Sequence, residues 1–305
     1  MRANAIIAGV EKAGTTSLFV SLAGHADIAP AAVKETRYFV PLLYGAEPEP
    51  VAAYEAFFAD AHERSVRLEA TPRYFTGGRA VAERIDAVCG PTTRVIVVLR
   101  DPVTRFSSFF TFQQARLRIP EELTIEDYLD RSAAMCDDEL GKAASHPWSA
   151  FRTGCYAEWL PVWHEVFGDR LEVLFFEQLI ARSEATLRGV AAFLGIDPDG
   201  FESYELASEN RTTGYKRARF QRFALAANDR LERFLRRHYK LKSRIRALYY
   251  RINGRAAARS ELSDAVRADL VDRYAEANRE LAEQLRAMGV SDLPVWVAGQ
   301  YSNTE

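Results

Sequence analysis

Apolar positions along the chain fall into two kinds of pattern. Short continuous runs bounded by turn residues occur at Ala5–Val10, Val66–Ala70, Arg94–Leu99 and Leu171–Phe176, and these read as buried strands. The RVIVVL run at Arg94–Leu99 is the clearest, a β-branched stretch between Pro91 and Pro102. Helical stretches separate the runs at about Gly14–Leu22, Arg79–Val88 and Cys155–Phe167, with one more after Asp101. Asp101 suits the cap of that helix and Pro102 its first turn. Strands separated by helices imply βαβ crossovers and a parallel sheet covered on both faces. In the last third, Val266, Leu270, Tyr274, Ala277, Leu281, Leu285 and Met288 keep the three-four spacing of one buried helical face. The expectation is an α/β fold, one domain over 1–305 with a central parallel sheet flanked by helices. Residues 220–290 are read as a mainly helical, basic extension of the same domain.

Composition narrows the class. With 305 residues, 48% hydrophobic and 27% charged, the chain can bury a large core. Its apolar runs are strand-length, far below the roughly 20 residues a bilayer requires. The N-terminal run is too short for a signal peptide and is broken by Glu11 and Lys12. The cytoplasm is therefore the expected address. Cys89, Cys136 and Cys155 are scattered and odd in number, and the five histidines show no ligand spacing. Buried reduced thiols and no metal site are expected. The net charge of −2 hides a block: Arg211–Arg259 holds 16 lysines and arginines against Asp229 and Glu232. Within it, 230–259 mixes arginines with Leu231, Phe234, Tyr239 and Ile245. Packing on the acidic remainder, contact with an anionic acceptor, and peripheral contact with the inner membrane surface all fit it. No nucleic-acid motif accompanies the charge.

Two loops carry candidate chemistry. Gly9–Ser17 follows the first strand and has the GxxxxG spacing of a phosphate loop, in which N–H groups at a helix start cradle phosphate oxygens. A Walker A loop needs Lys right after its second glycine; here that place is Thr15, and the lysine stands earlier, at Lys12. A kinase built this way would lack its main γ-phosphate contact. Arg100–Ser108 follows the strongest strand, with Arg100 at its carboxyl end, where a guanidinium can fork onto a phosphate. Ser108 shares a helix face with Arg105. In open sheets ligands sit beyond these strand ends. A nucleotide kinase and a non-catalytic nucleotide-binding module stay open on the loops alone.

Taken in order, these segments resemble the PAPS-dependent sulfotransferase family, in its carbohydrate (heparan-sulfate-like) and bacterial branch; PAPS is 3′-phosphoadenosine 5′-phosphosulfate. Lys12-Ala13-Gly14-Thr15-Thr16 matches its 5′-phosphosulfate loop, and Arg100 with Ser108 its 3′-phosphate motif. Lys34-Glu35-Thr36-Arg37-Tyr38-Phe39 is similar to its KExxFF segment, and Glu69–Phe75 to its E-x-(S/T)-P-x-Y stretch. Gly154-Cys155-Tyr156 followed by Trp163 and Phe167 is similar to its G-x-Y helix, and Asn210–Arg217 to a late loop over the cosubstrate. The resemblance runs from about Ile6 to Arg219.

The resemblance implies a P-loop-like sulfotransferase fold moving a sulfuryl group from PAPS to a hydroxyl, with PAP as product and no metal. The acceptor would be a carbohydrate, glycolipid or small metabolite. Lys12 would assist the leaving 5′-phosphate with the groups around Ala13, Gly14, Thr15, Thr16 and Ser17. Arg100 and Ser108 would hold the 3′-phosphate, with Tyr156, Gly214, Tyr215, Lys216 and Arg217 completing the cosubstrate site. Glu35 would be the general base, and Lys34, Arg37 and Arg73 would face the acceptor. The heparan-type enzymes often carry a lysine where this chain has Ala70, so acceptor preference is not inherited.

Overall fold

The computed structural model describes residues 1–61, 64–201, 203–204, 206, 213–215, 221–222, 224, 254–256 and 262–299, with 213–215 and 254–256 described as backbone. Every residue of β1 (Ala5–Gly9) is buried, as are all but the first of β4 (Arg94–Leu99). Such continuous runs require cover on both faces, which a parallel sheet provides. With β2 (Ile28–Pro30), β3 (Val66–Ala70) and β5 (Leu171–Phe175), they form a parallel sheet in the order β2-β3-β1-β4-β5. The chain leaves β1 toward one side of the sheet and β4 toward the other. The crevice beyond their carboxyl ends is thus a topological switch point, where ligands of open α/β sheets bind.

Helix α1 (Thr15–Ala23) follows β1, α2 (Val51–Glu55) precedes β3, and α3 (Gly78–Cys89) joins β3 to β4. Helices α4 (Pro102–Ala115), α5 (Ile125–Ala133), α6 (Asp137–Leu140) and α7 (Leu160–Phe167) lead on to β5. Helices α8 (Phe176–Ala181) and α9 (Ser183–Leu194) follow it, and α10 (Asp264–Ala287) is the long C-terminal helix. Asp101 caps α4 as the sequence suggested, its carboxylate accepting from Val103 N at 3.0 Å with Pro102 in the first turn. The helix read over Cys155–Phe167 is shorter. A 3₁₀ turn at Tyr156–Glu158 comes first and α7 starts at Leu160, because Pro161 is accommodated only in a first turn. Of the thiols expected to be buried, Cys155 is buried and Cys89 half-buried, but Cys136 is exposed.

The described core has two parts. One surrounds the sheet and takes in Leu281 and Leu285 of α10; the other joins Phe106 and Phe110 of α4, Tyr128 of α5, and Leu270 and Tyr274 of α10. Gly154 makes the second possible: a Cβ there would lie 2.6 Å from the Tyr274 hydroxyl, which donates to the Phe151 carbonyl at 3.2 Å. The predicted apolar face of α10 is therefore real, and it staples the C-terminal helix to the element that carries Ser108. Most of the basic block at 211–259 lies outside the described residues. Among the described residues, no helix is long and apolar enough to cross a membrane.

Candidate active site

The loop after β1 is shaped by two left-handed residues, Lys12 (φ 71°) and Gly14 (φ 79°). Gly14 is the N-cap of α1, and a Cβ at that position would lie 2.8 Å from the Phe176 ring. Only glycine meets both the conformation and the contact. No side chain caps α1, and its first turn carries no acid, so its own residues leave the positive end of its dipole unscreened. Thr15 and Ser17 are buried in that first turn, with Thr16 between them half-buried. Ala13 is buried beneath the loop.

Cations crowd this helix start. Arg100, just past β4, donates from Nη1 to the Lys12 carbonyl at 2.8 Å, and its guanidinium lies 4.5 Å from the Phe176 ring centroid. The Lys12 ammonium sits 4.6 Å from the Phe112 ring centroid. Burial, together with the positive charges of Arg100 and Arg116, pulls Lys12 down to about 8 against the opposing pull of Glu11. A helix N-terminus, a lysine strained toward neutrality and a nearby arginine make a site that fits a polyanionic phosphate group. Ser108 is half-buried on α4, and β6 (Thr213–Tyr215) runs beside that helix, pairing antiparallel with β7 (Gly254–Ala256). Gly214 and Tyr215 thus lie in a strand near the helix that carries Ser108; Lys216 and Arg217 lie outside the described residues.

Two buried side chains support the site from within. Tyr156 is buried, and its hydroxyl donates to the Arg100 carbonyl at 2.8 Å, so it acts on the site by fixing Arg100. Arg105 does not share an exposed face with Ser108. It is turned inward, donating to the Ala150 carbonyl, to Thr153 Oγ1 at 2.9 Å and to the Glu11 carbonyl at 3.4 Å.

The second half of the site is the segment after β2. Glu35 (φ 65°) and Arg37 (φ 57°) are both left-handed, flanking Thr36. The Glu35 carboxylate lies 3.6 Å from Lys34 Nζ and accepts from Arg37 Nη2 at 3.3 Å. Burial pulls the Lys34 ammonium down, against the pull of Glu35. This unusual backbone is held by Glu69, at the end of β3 and wholly buried. Its carboxylate accepts from the hydroxyls of Thr36 and Tyr54, from Tyr74 at 2.7 Å and from Thr71 at 3.1 Å. Burial pushes its pKa up while these hydroxyls pull it back. The backbone adds ties: Glu35 N donates to the Ala70 carbonyl at 3.1 Å, Arg37 N to Thr71 Oγ1 at 3.3 Å and Phe39 N to the Tyr74 hydroxyl at 3.3 Å. Glu69 thus appears in the sequence as part of a motif and in the structure as the anchor of Glu35.

A third feature went unread in the sequence. Glu11, inside the phosphate loop, pairs with His146 Nε2 at 2.7 Å. Burial alone would raise Glu11, but His146, Arg73 and Arg105 outweigh it and hold the carboxyl at about 2. An acid beside a loop lysine was the available signal; its partner lies in a 3₁₀ turn, Ala143–Trp148, far along the chain. Arg73 completes the group, its guanidinium 5.5 Å from the Tyr44 ring centroid and its charge felt by both Glu11 and Glu35.

Fold and site together define an α/β protein that presents a cation-lined phosphate loop and a held carboxylate at one switch point. The chain belongs to the sulfotransferase family: residues 2–235 match the sulfotransferase domain. It is 35% identical over 196 residues to mouse heparan sulfate glucosamine 3-O-sulfotransferase 3A1, covering 63% of this chain and 45% of that protein. With human heparan sulfate glucosamine 3-O-sulfotransferase 6 the identity is 30% over 194 residues, covering 63% and 52%. The chain thus spans about half the length of the curated relatives it matches. Its fold is similar to the crystal structure of a sulfotransferase from Alicyclobacillus acidocaldarius, with TM-score 0.68, 19% identity, and coverage of 97% of this chain and 99% of that one.

Proposed function

We propose that the protein transfers a sulfuryl group from PAPS to a hydroxyl of a carbohydrate acceptor, releasing PAP. The observation that carries this reading is Lys12, set inside the phosphate loop beside Arg100. PAPS supplies an activated sulfuryl group on a phosphate leaving group. Transfer of this kind passes through a loose, in-line transition state, served by positioning and charge stabilisation. Lys12 and the N–H groups of Gly14–Ser17 meet the charge gathering on the 5′-phosphate oxygen as its bond to sulfur breaks. Arg100 and Ser108 hold the 3′-phosphate. Glu35 takes the acceptor hydroxyl proton as the new oxygen–sulfur bond forms, its carboxylate oriented by ion pairs with Lys34 and Arg37. The cytoplasm is the proposed address, with peripheral contact of the basic 230–259 segment at the inner membrane surface.

The test is PAP release from labelled PAPS with a panel of sugar acceptors, alongside PAP binding by calorimetry. Glu35→Gln is expected to lower kcat by about 10²–10⁴-fold with PAP affinity unchanged. Unchanged turnover removes Glu35 as the base, and undiminished PAP binding in both Lys12→Ala and Arg100→Ala overturns the site.

A further inference from the structure

Beside the phosphate loop lies a cleft of about 410 Å³ whose lining includes Tyr44, Arg73, His146, Arg152 and Trp159. It borders the phosphate loop through His146, which is bonded to Glu11, and the charge of Arg73 bears on Glu35. Arg73 is half-buried, and among the described residues its guanidinium has no hydrogen bond or ion pair. Its nearby acids are already engaged, Glu11 by His146 and Glu35 by Lys34 and Arg37. Arg37 and Arg118 press further positive charge on it. A guanidinium that lines a cleft, 5.5 Å from a tyrosine ring centroid, suits a planar carboxylate.

The rest of the lining has the opposite character. The other arginine, Arg152, is taken up by Asp137 at 2.7 Å and Glu158 at 3.1 Å, and both acids also line the cleft. Ser149 Oγ is bonded to the His146 carbonyl and Thr153 Oγ1 to the Ser149 carbonyl, so neither hydroxyl adds charge. The described lining therefore offers one available cation, two aromatic surfaces and two carboxylates that would repel a second anion.

Building on the sulfotransferase reading, we propose that this cleft is the acceptor site, and that it takes a saccharide carrying a single carboxylate on Arg73 rather than a polyanionic chain. The carboxylate bonds to Arg73 while the sugar and its aglycone lie along Tyr44 and Trp159. A hydroxyl on the same unit is thereby brought toward Glu35.

The experiment compares three acceptors under PAPS turnover: 4-nitrophenyl β-D-glucuronide, 4-nitrophenyl β-D-glucoside and an N-sulfated heparosan polymer. The expected kcat/KM order is glucuronide first, by about 10-fold or more over the neutral glucoside, with the polymer last. Arg73→Gln should erase the glucuronide preference and leave PAP affinity, measured by calorimetry, unchanged. Asp137→Asn with Glu158→Gln, both exposed positions, should raise use of the polymer several-fold while sparing the glucuronide. The proposal is overturned if the polymer is the best acceptor of the wild type, or if Arg73→Gln binds PAP normally and keeps the glucuronide preference. Absence of PAP binding by the wild type sinks the sulfotransferase reading itself, a result separable from failure of the acceptor assignment.

Discussion

Lys12 holds its charge at the expense of folding stability, and replacing it should expose that cost. Moving an ammonium from 10.5 to about 8 penalises its charged form by about 3 kcal/mol. Water at the half-buried amine screens part of this, so Lys12→Met is expected to stabilise the ligand-free protein by about 1–2 kcal/mol at pH 6.5, or roughly 2–5 °C in Tm. The sign follows from linkage. The folded pKa lies below the unfolded one, so the unfolded chain binds the proton more tightly and the penalty is fully present below pH 8. It fades as pH rises from about 8 to 10.5, and with it the advantage of Met. A bound 5′-phosphate reverses the balance, because the ligand's negative charge restores the ammonium. PAP affinity of the wild type should therefore fall by up to about tenfold per pH unit above 8, with proton uptake on binding. Urea and thermal unfolding from pH 6 to 10.5, with and without PAP, and calorimetry in buffers of different ionisation enthalpy measure both effects. A Lys12→Met protein less stable than wild type at pH 6.5, or a PAP affinity flat across pH 7–9.5, would refute this account. The gain in stability should come with loss of PAP binding, the trade expected where function needs a strained site.

Two further outcomes test the frame around Lys12 and Glu35. Gly14→Ala must accept φ 79° and a Cβ 2.8 Å from Phe176; PAP affinity should fall at least tenfold, and adding Phe176→Ala should recover only the steric part, since the left-handed backbone cost of about 1 kcal/mol remains. Glu69→Ala leaves buried hydroxyls without their acceptor and should cost about 3 kcal/mol in urea unfolding. Thr36→Val removes the bond from Thr36 to Glu69 together with its contacts to the Tyr74 hydroxyl and Tyr38 N, all within the Glu35 segment and its support, so kcat should drop about tenfold or more with little change in PAP affinity. Tyr54→Phe removes a Glu69 donor on α2, outside that segment, and should leave kcat near wild type.

Local pattern alone determined the frame of this protein. Runs such as Ala5–Gly9 and Arg94–Leu99 are buried on both faces and therefore continuous in the sequence, and the α10 face from Val266 to Leu285 keeps its period because one side packs. The phosphate loop was equally legible, because a glycine-spaced turn between a strand and a helix is a local pattern, although the contacts that fix it, Phe176 on Gly14 and Arg100 on Lys12, come from far along the chain. Edge strand β2, three residues long, carries too short a run to be read. What only the tertiary structure decided are the partnerships. Glu69 gathers hydroxyls from three separate segments around Glu35, Glu11 meets a histidine 135 residues later, and Arg105 turns inward to Ala150 and Thr153. No periodicity encodes such pairs. They exist because the strand order brings β3, β1 and β4 side by side, so that charges distant in the chain must be matched where they are buried.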